Sequence, residues 1–173
     1  MRAYRTAVFA LSAFALGAYP VAAQEGRSVE VTPYVGMGVF GPSTVGTAVT
    51  FPVSAHFSVE SDTAYRRGEG HLNLLSTSVS LLWFPPRIGR VEPYLAAGVG
   101  LAQYGAPIFS LQGRPIGTQT GVALTTNVGG GMKVPMSERL DLRTDARLTT
   151  RYGRYGSDQF RIAQGVSFDV RKK

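Results

Sequence analysis

The chain has 173 residues, a formal charge of +7 and no cysteine. That length suits one domain with a real core, and the missing cysteines exclude a disulfide framework or a thiolate metal site. The basic residues are scattered and alternate with aspartate instead of grouping beside stacking aromatics, so nucleic acid is not an expected partner.

In chain order, residues 1–23 read as an export signal. Arg2 and Arg5 flank an apolar run over 7–18, followed by Pro20 and the small-residue end Val21-Ala22-Ala23 before Gln24. The run is shorter than the roughly 20 residues of a membrane helix, and no later stretch reaches that length. Residues 24–173 form the mature domain. Without Arg2 and Arg5 it carries 16 basic and 11 acidic residues, a formal +5. An exported domain without disulfides is held by packing, by a closed hydrogen-bond network or by a bilayer.

Eight strands are predicted, over 29–40, 45–52, 56–66, 72–84, 91–104, 120–134, 139–152 and 158–170, with no helical periodicity between them. Three connections are tight and marked by proline, at 52–55, 85–90 and 135–138. The others are rich in glycine or charge, at 41–44, 67–71, 105–119 and 153–157. Tight turns at one end and looser loops at the other fit an up-and-down meander. The segment "FPVSAHFSVESD" from Phe51 recurs as "VPMSERLDLRTD" from Val134, 83 residues later. Chance or duplication of a four-strand half would each explain so short a match.

Within the strands the side chains alternate with a period of two. "LDLRTDARLTTR", residues 140–151, puts Leu140, Leu142, Ala146 and Leu148 on one face. Asp141, Arg143, Asp145, Arg147 and Arg151 share the other, and Arg139 extends that row. Glu60, Asp62 and Arg66 lie on the polar face of the third strand, Glu92, Tyr94 and Tyr104 on that of the fifth, and Arg161 and Asp169 on that of the eighth. Two inside-out architectures share this pattern. A soluble lipocalin-like barrel turns its apolar face inward around a ligand; a transmembrane barrel turns it to lipid. Arginine against lipid costs about 2–4 kcal/mol at the bilayer midplane, against a total stability of roughly 5–15 kcal/mol, so a charged row there is excluded.

Composition separates the two. Solvated strand faces usually carry Lys, Glu and Thr, whereas here small residues on the fifth and sixth strands oppose long arginines on the seventh. Small against large is how a narrow barrel is filled. The charges are therefore expected to form a lumen network. Tyr34, Phe51, Tyr65, Trp83, Phe84, Tyr94, Tyr152 and Phe160 fall near strand ends, where interfacial aromatic girdles belong. The expected fold is all-β, an eight-stranded antiparallel up-and-down transmembrane β-barrel. A soluble periplasmic ligand-binding barrel is the alternative.

The segments "VEPYLAAGVGLAQYG", "NVGGGMKVPMSERLDLRTDARL" and "GVSFDV" resemble the small outer-membrane β-barrel proteins of the OmpA-like or opacity-like group, over residues 27–170. The resemblance implies a barrel in the bacterial outer membrane and says little about activity; the expected protein is a monomer with a structural or surface-interaction role and no cofactor, in contact with outer-membrane lipid and lipopolysaccharide. It also implies a closing strand, Gly165, Phe168 and Val170, read by the barrel-assembly machinery. Here the chain departs from the pattern, ending Arg171-Lys172-Lys173 instead of on an aromatic residue.

Little in the sequence points to chemistry. "GVGLAQYG" lacks the third glycine and the following helix of a dinucleotide site. No ligand cluster offers a metal site. His56, in "HFS", resembles the His-x-Ser of lipid A deacylases, but Val59 stands where that motif carries asparagine; His71 lies in a predicted loop. An outer-membrane lipid-modifying hydrolase is thus the weaker alternative. Arg66, Arg67, Arg151 and Arg154 gather at the predicted outer rim beside Tyr65, Tyr152 and Tyr155. Arginine forks suit phosphate oxygens, so they are candidates for contact with lipopolysaccharide, or else solvated loop residues.

Overall fold

The computed structural model describes residues 28–38, 41–67, 73–110, 115–153 and 157–170; the predicted export signal, His71 and Arg154 lie outside them. Alternation drives eight strands: β1 (Val29–Gly38), β2 (Gly41–Pro52), β3 (Phe57–Arg67), β4 (Asn73–Trp83), β5 (Glu92–Phe109), β6 (Pro115–Pro135), β7 (Leu140–Arg151) and β8 (Ser157–Val170). Each pairs antiparallel with its chain neighbours. β8 then returns to β1, with Val29 opposite Val170 and Gly38 opposite Arg161, and the barrel closes.

The proline turns form as expected. In the first, the amides of Val53 and Ser54 donate to the Phe57 carbonyl at 2.9 and 3.0 Å. In the third, Met136 and Ser137 donate to the Leu140 carbonyl at 2.8 and 3.1 Å. The serine hydroxyls, Ser54 and Ser137, each accept from the amide two residues on. The two repeat copies therefore build the same turn, 83 residues apart. β3 and β7, which follow them, are four strands apart in a ring of eight and so face each other across the lumen.

The predicted long loop at 105–119 is mostly strand. Pairing between β5 and β6 continues past Gly105 opposite Thr120 to Ile108 opposite Gly117. β4 pairs with β5 only as far as Gly105, and β7 meets β6 only from Thr125. The hairpin thus rises beyond its neighbours as a two-stranded arm. Its glycines and prolines read as loop, but a local hairpin needs no third strand to keep its ladder. The predicted loop at 41–44 is likewise the start of β2.

The apolar faces point out: Leu95, Val99, Leu124 and Val128 are each more than half exposed. The polar faces point in, with Glu60 at 0% and Arg147 at 2% exposure. A lipocalin-like barrel needs the opposite arrangement. The only apolar cluster inside is Leu82, Phe84, Tyr94 and Ala96, among the described residues. Phe84 and Tyr94 pack with ring centroids 5.7 Å apart. Two aromatics expected at the girdle, Tyr34 and Phe84, turn inward, Tyr34 by the lumen parity of β1 and Phe84 just past the end of β4; Tyr94 turns inward as its place on the polar face of the fifth strand predicts. Trp83, Tyr65 and Phe160 do face outward.

Inward tyrosines need space across a narrow tube, and glycine supplies it. Gly46 faces Tyr34 and Gly131 faces Tyr94 in the strand ladders. A Cβ at Gly131 would fall against the Tyr94 hydroxyl and the Thr144 carbonyl. Gly131→Val is expected to lower stability by about 1–3 kcal/mol through overpacking. A urea titration of the refolded barrel measures it; a neutral result would mean that the ring relaxes freely.

Candidate functional site

Closure and inward parity bring Glu60 of β3, Tyr94 of β5 and the arginines of β7 into one buried network. The Glu60 carboxylate accepts from Arg143 Nη1 and Arg147 Nη2, each at 2.5 Å, and from the Thr50 hydroxyl at 3.2 Å. Asp145 Oδ2 accepts from Arg147 Nε at 2.8 Å, Arg143 Nη2 at 3.3 Å and the Tyr94 hydroxyl at 3.1 Å. Tyr94 in turn accepts from Arg143 Nε at 2.7 Å, and that guanidinium lies 4.8 Å from its ring centroid. Two carboxylates and two guanidinium groups thus alternate in a closed cluster. Such charges persist inside a low-dielectric wall only when partnered this way.

A second unit repeats the same chemistry. Arg161 Nη2 donates to Asp62 Oδ2 at 3.1 Å and lies 3.6 Å from Asp145 Oδ1. Its Nη1 donates at 2.5 Å to the Tyr34 hydroxyl, which donates at 2.5 Å to Asp62. Arg161 also sits over the Tyr34 ring, 4.6 Å from the centroid. In each unit a tyrosine hydroxyl relays between an arginine and an aspartate while its ring faces the cation. Toward the proline-turn end, buried Lys133 pairs with Glu30 and lies over Phe84 at 5.1 Å. Ser80 donates to Asn127 at 3.1 Å and Thr32 bonds Ser167 at 2.8 Å, satisfying further lumen hydroxyls.

Of the residues singled out from sequence, Glu60, Asp62, Arg143, Asp145, Arg147 and Arg161 meet in this network. Glu92 lies at the proline-turn end with Arg87, an ion pair of 3.1 Å whose arginine is exposed. Asp141 opens β7 at that end, half-buried, and Asp169 closes β8 there, its amide bonded to the Arg139 carbonyl at 3.0 Å. Arg139 itself is not a lumen residue. β7 begins at Leu140, so Arg139 stays in the exposed turn, with its amide held by the Ser137 hydroxyl. Glu30 and Tyr34 are lumen contributors that sequence reasoning did not select; their parity in β1 would have found them. Lys133 falls on the polar face of β6 by the same alternation.

Arg66 and Arg151 lie at the loop end. Arg66 Nη1 donates to Gln159 Oε1 at 2.9 Å. Arg151 Nη2 donates to the Ser157 hydroxyl at 3.1 Å, and its guanidinium is 5.4 Å from the Tyr104 ring centroid. Both line a cavity of about 60 Å³ inside the barrel mouth. They therefore face the lumen and not the lipid around the rim. Tyr152 is exposed, and its hydroxyl bonds Thr126 at 3.2 Å on the outer surface. A void beside the main network measures only about 10 Å³.

His56 is exposed at the β2–β3 turn, whereas Ser58 is buried in the lumen. Among the described residues no group of three or more His, Cys, Asp or Glu side chains has the arrangement of a metal site.

No family model matches the chain, and no curated protein does. Solved structures do. The N-terminal β-barrel domain of Pseudomonas aeruginosa OprF is similar with a TM-score of 0.59 at 20% identity, covering 84% of this chain and 100% of that one. Neisserial surface protein A matches with a TM-score of 0.63 at 12% identity, over 83% and 95% of the two chains. The outer membrane enzyme PagL matches with a TM-score of 0.54 at 13% identity, over 82% and 99%. At such identities the likeness establishes the fold alone. The chain has the eight-stranded barrel fold of these small outer-membrane proteins, a fold that serves an enzyme in PagL.

Proposed function

We propose that the protein is an integral outer-membrane β-barrel with a structural or surface-interaction role, a side-chain-filled lumen and no catalytic site. The observation that carries this reading is the inversion of polarity across the wall: apolar side chains outside on every strand, paired charges inside. An exposed apolar belt on this scale is stable only against lipid. Outer-membrane lipid is then the partner of the outer face, and the barrel-assembly machinery the partner during insertion. The protein acts as a monomer, since closure of the ring pairs its strand edges within one chain.

A hydrolase reading finds no support in the one histidine that the structure describes. A serine nucleophile needs a base within about 2.6–3.2 Å, and the exposed His56 ring makes no hydrogen bond with the lumen-facing Ser58. The proposed orientation puts the proline turns at 52–55, 85–90 and 135–138 in the periplasm and the β5–β6 arm outside.

Cell envelopes extracted with carbonate test the reading. The protein is expected to stay with the membrane and to shift in gel mobility on heating. Protease added to intact cells is expected to cut at the tip of the β5–β6 arm or nowhere. Release by carbonate without a mobility shift would refute membrane insertion. Cleavage at Arg87 or Arg139 in unbroken cells would invert the orientation.

A further inference from the structure

The lumen network uses two of its charged groups unevenly. Asp145 Oδ2 accepts from Arg147 Nε, Arg143 Nη2 and the Tyr94 hydroxyl. Its other oxygen, Oδ1, is buried and accepts no hydrogen bond. Arg161 Nη2 lies 3.6 Å from that oxygen, which is beyond hydrogen-bond reach. Arg147 shows the complementary gap. Its Nε and Nη2 donate to Asp145 and Glu60, while the buried Nη1 has no partner. A charged acceptor and a charged donor, two residues apart on one face of β7, are thus both left over. Leaving either group without a partner inside a protein is costly.

Both residues line the void of about 10 Å³, the space of about one water. From this geometry we infer that the void is a binding site for a single water molecule, which accepts from Arg147 Nη1 and donates to Asp145 Oδ1. The two leftover groups are opposite in kind, so their ligand must donate and accept at once. It must also be neutral. The void is lined by three carboxylates, Glu60, Asp62 and Asp145, and by three guanidinium groups, Arg143, Arg147 and Arg161. Their charges balance, and an ion of either sign would be buried there uncompensated. Asp62 supplies a third contact. Its Oδ1 accepts from Tyr34 and its Oδ2 from Arg161, which leaves lone pairs for the second water proton. About three hydrogen bonds are the usual complement of a buried water. The small side chains of Ala48 and Ala163, with Gly165, leave the room on the wall.

The water joins the two halves of the network, with Arg147 and Asp145 on one side and the Asp62–Tyr34–Arg161 unit on the other. The inference rests on barrel closure and the inward parity of β3, β7 and β8, not on the structural role proposed above, so its test is separate from membrane extraction. Crystals of the refolded barrel are expected to show a density peak within hydrogen-bonding distance of Arg147 Nη1 and Asp145 Oδ1. Soaks in bromide and in rubidium test for an ion by anomalous scattering, and neither is expected at that position. In solution, the ¹⁵N-labelled barrel in neutral maltoside micelles is expected to give a rotating-frame cross-peak between water and the Arg147 Nη1–H. A sign opposite to the diagonal separates bound water from proton exchange.

Ala48→Val and Ala163→Val each add methyl groups to the wall of the void and are expected to abolish both the density peak and the cross-peak. Retained heat-dependent gel mobility checks their fold. The measurements on the parent decide the inference even where neither valine variant folds. It is overturned if the parent crystals lack the peak, or if the parent in solution lacks the cross-peak. It is overturned equally if bromide or rubidium occupies the position, or if both signals persist in the folded valine variants.

Discussion

Replacing Glu60 by alanine is expected to destabilise the refolded barrel by about 3–5 kcal/mol, the range found when one partner of a buried ion pair is removed. Glu60 is fully buried and is the carboxylate that both Arg143 and Arg147 reach at 2.5 Å. Its removal leaves Asp145 as the remaining carboxylate of that cluster for two guanidinium groups. With a urea slope of about 2 kcal/mol/M the midpoint falls by roughly 2 M. Glu60→Gln keeps the shape but not the charge and should recover only part of the loss. Arg87→Ala is the control: its pair with Glu92 is solvent-exposed on the arginine side, so its loss should cost under about 1 kcal/mol. Asp145→Ala belongs with Glu60, because that carboxylate receives two arginines and Tyr94. Equal and small effects at Glu60 and Arg87 would show that water screens the lumen and that the network adds little to stability.

The architecture was legible because one periodicity decided everything. Once Asp141, Arg143, Asp145 and Arg147 alternate with Leu140, Leu142, Ala146 and Leu148, two faces exist, and the cost of charge in lipid fixes which one is inside. Strand limits were less legible wherever turn residues continue a strand. Pro107, Gly117 and Gly121 all sit within the β5–β6 ladder. Contact partners were less legible still. The period of two places Glu60 and Arg143 on the lumen side, but only the ring order of the strands makes β3 and β7 face each other. Nearness to a strand end was a poorer guide for aromatics than parity. Tyr34 lies near a strand end in sequence, yet parity sends it inward over Gly46, and Tyr94 turns inward over Gly131 as its place on the polar face of the fifth strand predicts.

Parity also gives the network a role in specifying the fold. Lipid makes weak distinctions among apolar side chains, so the outer face holds register loosely. A one-residue slip of β7 would carry Arg143, Asp145 and Arg147 to the outer face, at about 2–4 kcal/mol for each arginine near the midplane. It would also leave Glu60 and Asp62 without their cations. The contacts of β3 with β7 and β8 therefore penalise slipped barrels far more strongly than apolar packing does. A double-mutant cycle on Glu60 and Arg147 is expected to show coupling beyond the sum of the single losses.

The same contacts are expected to close the tube to ions. Eight strands enclose an interior that side chains fill, whereas porins of 16 or more strands keep an aqueous channel. Here Glu60 reaches from β3 to both arginines of β7, Asp62 to Arg161 of β8, and Tyr94 from β5 to Asp145. The void left beside them is about 10 Å³, about one water, which leaves little room for a file of water at that level. Planar bilayers containing the purified protein are expected to show no steady porin-sized conductance, and liposomes carrying it should not swell in small sugars. The cavity lined by Arg66 and Arg151 lies at the loop end, apart from that void. A stable conductance that changed when Arg143 or Arg147 was neutralised would place the ion path through this cluster. Passive transport would then replace the structural role as the leading function.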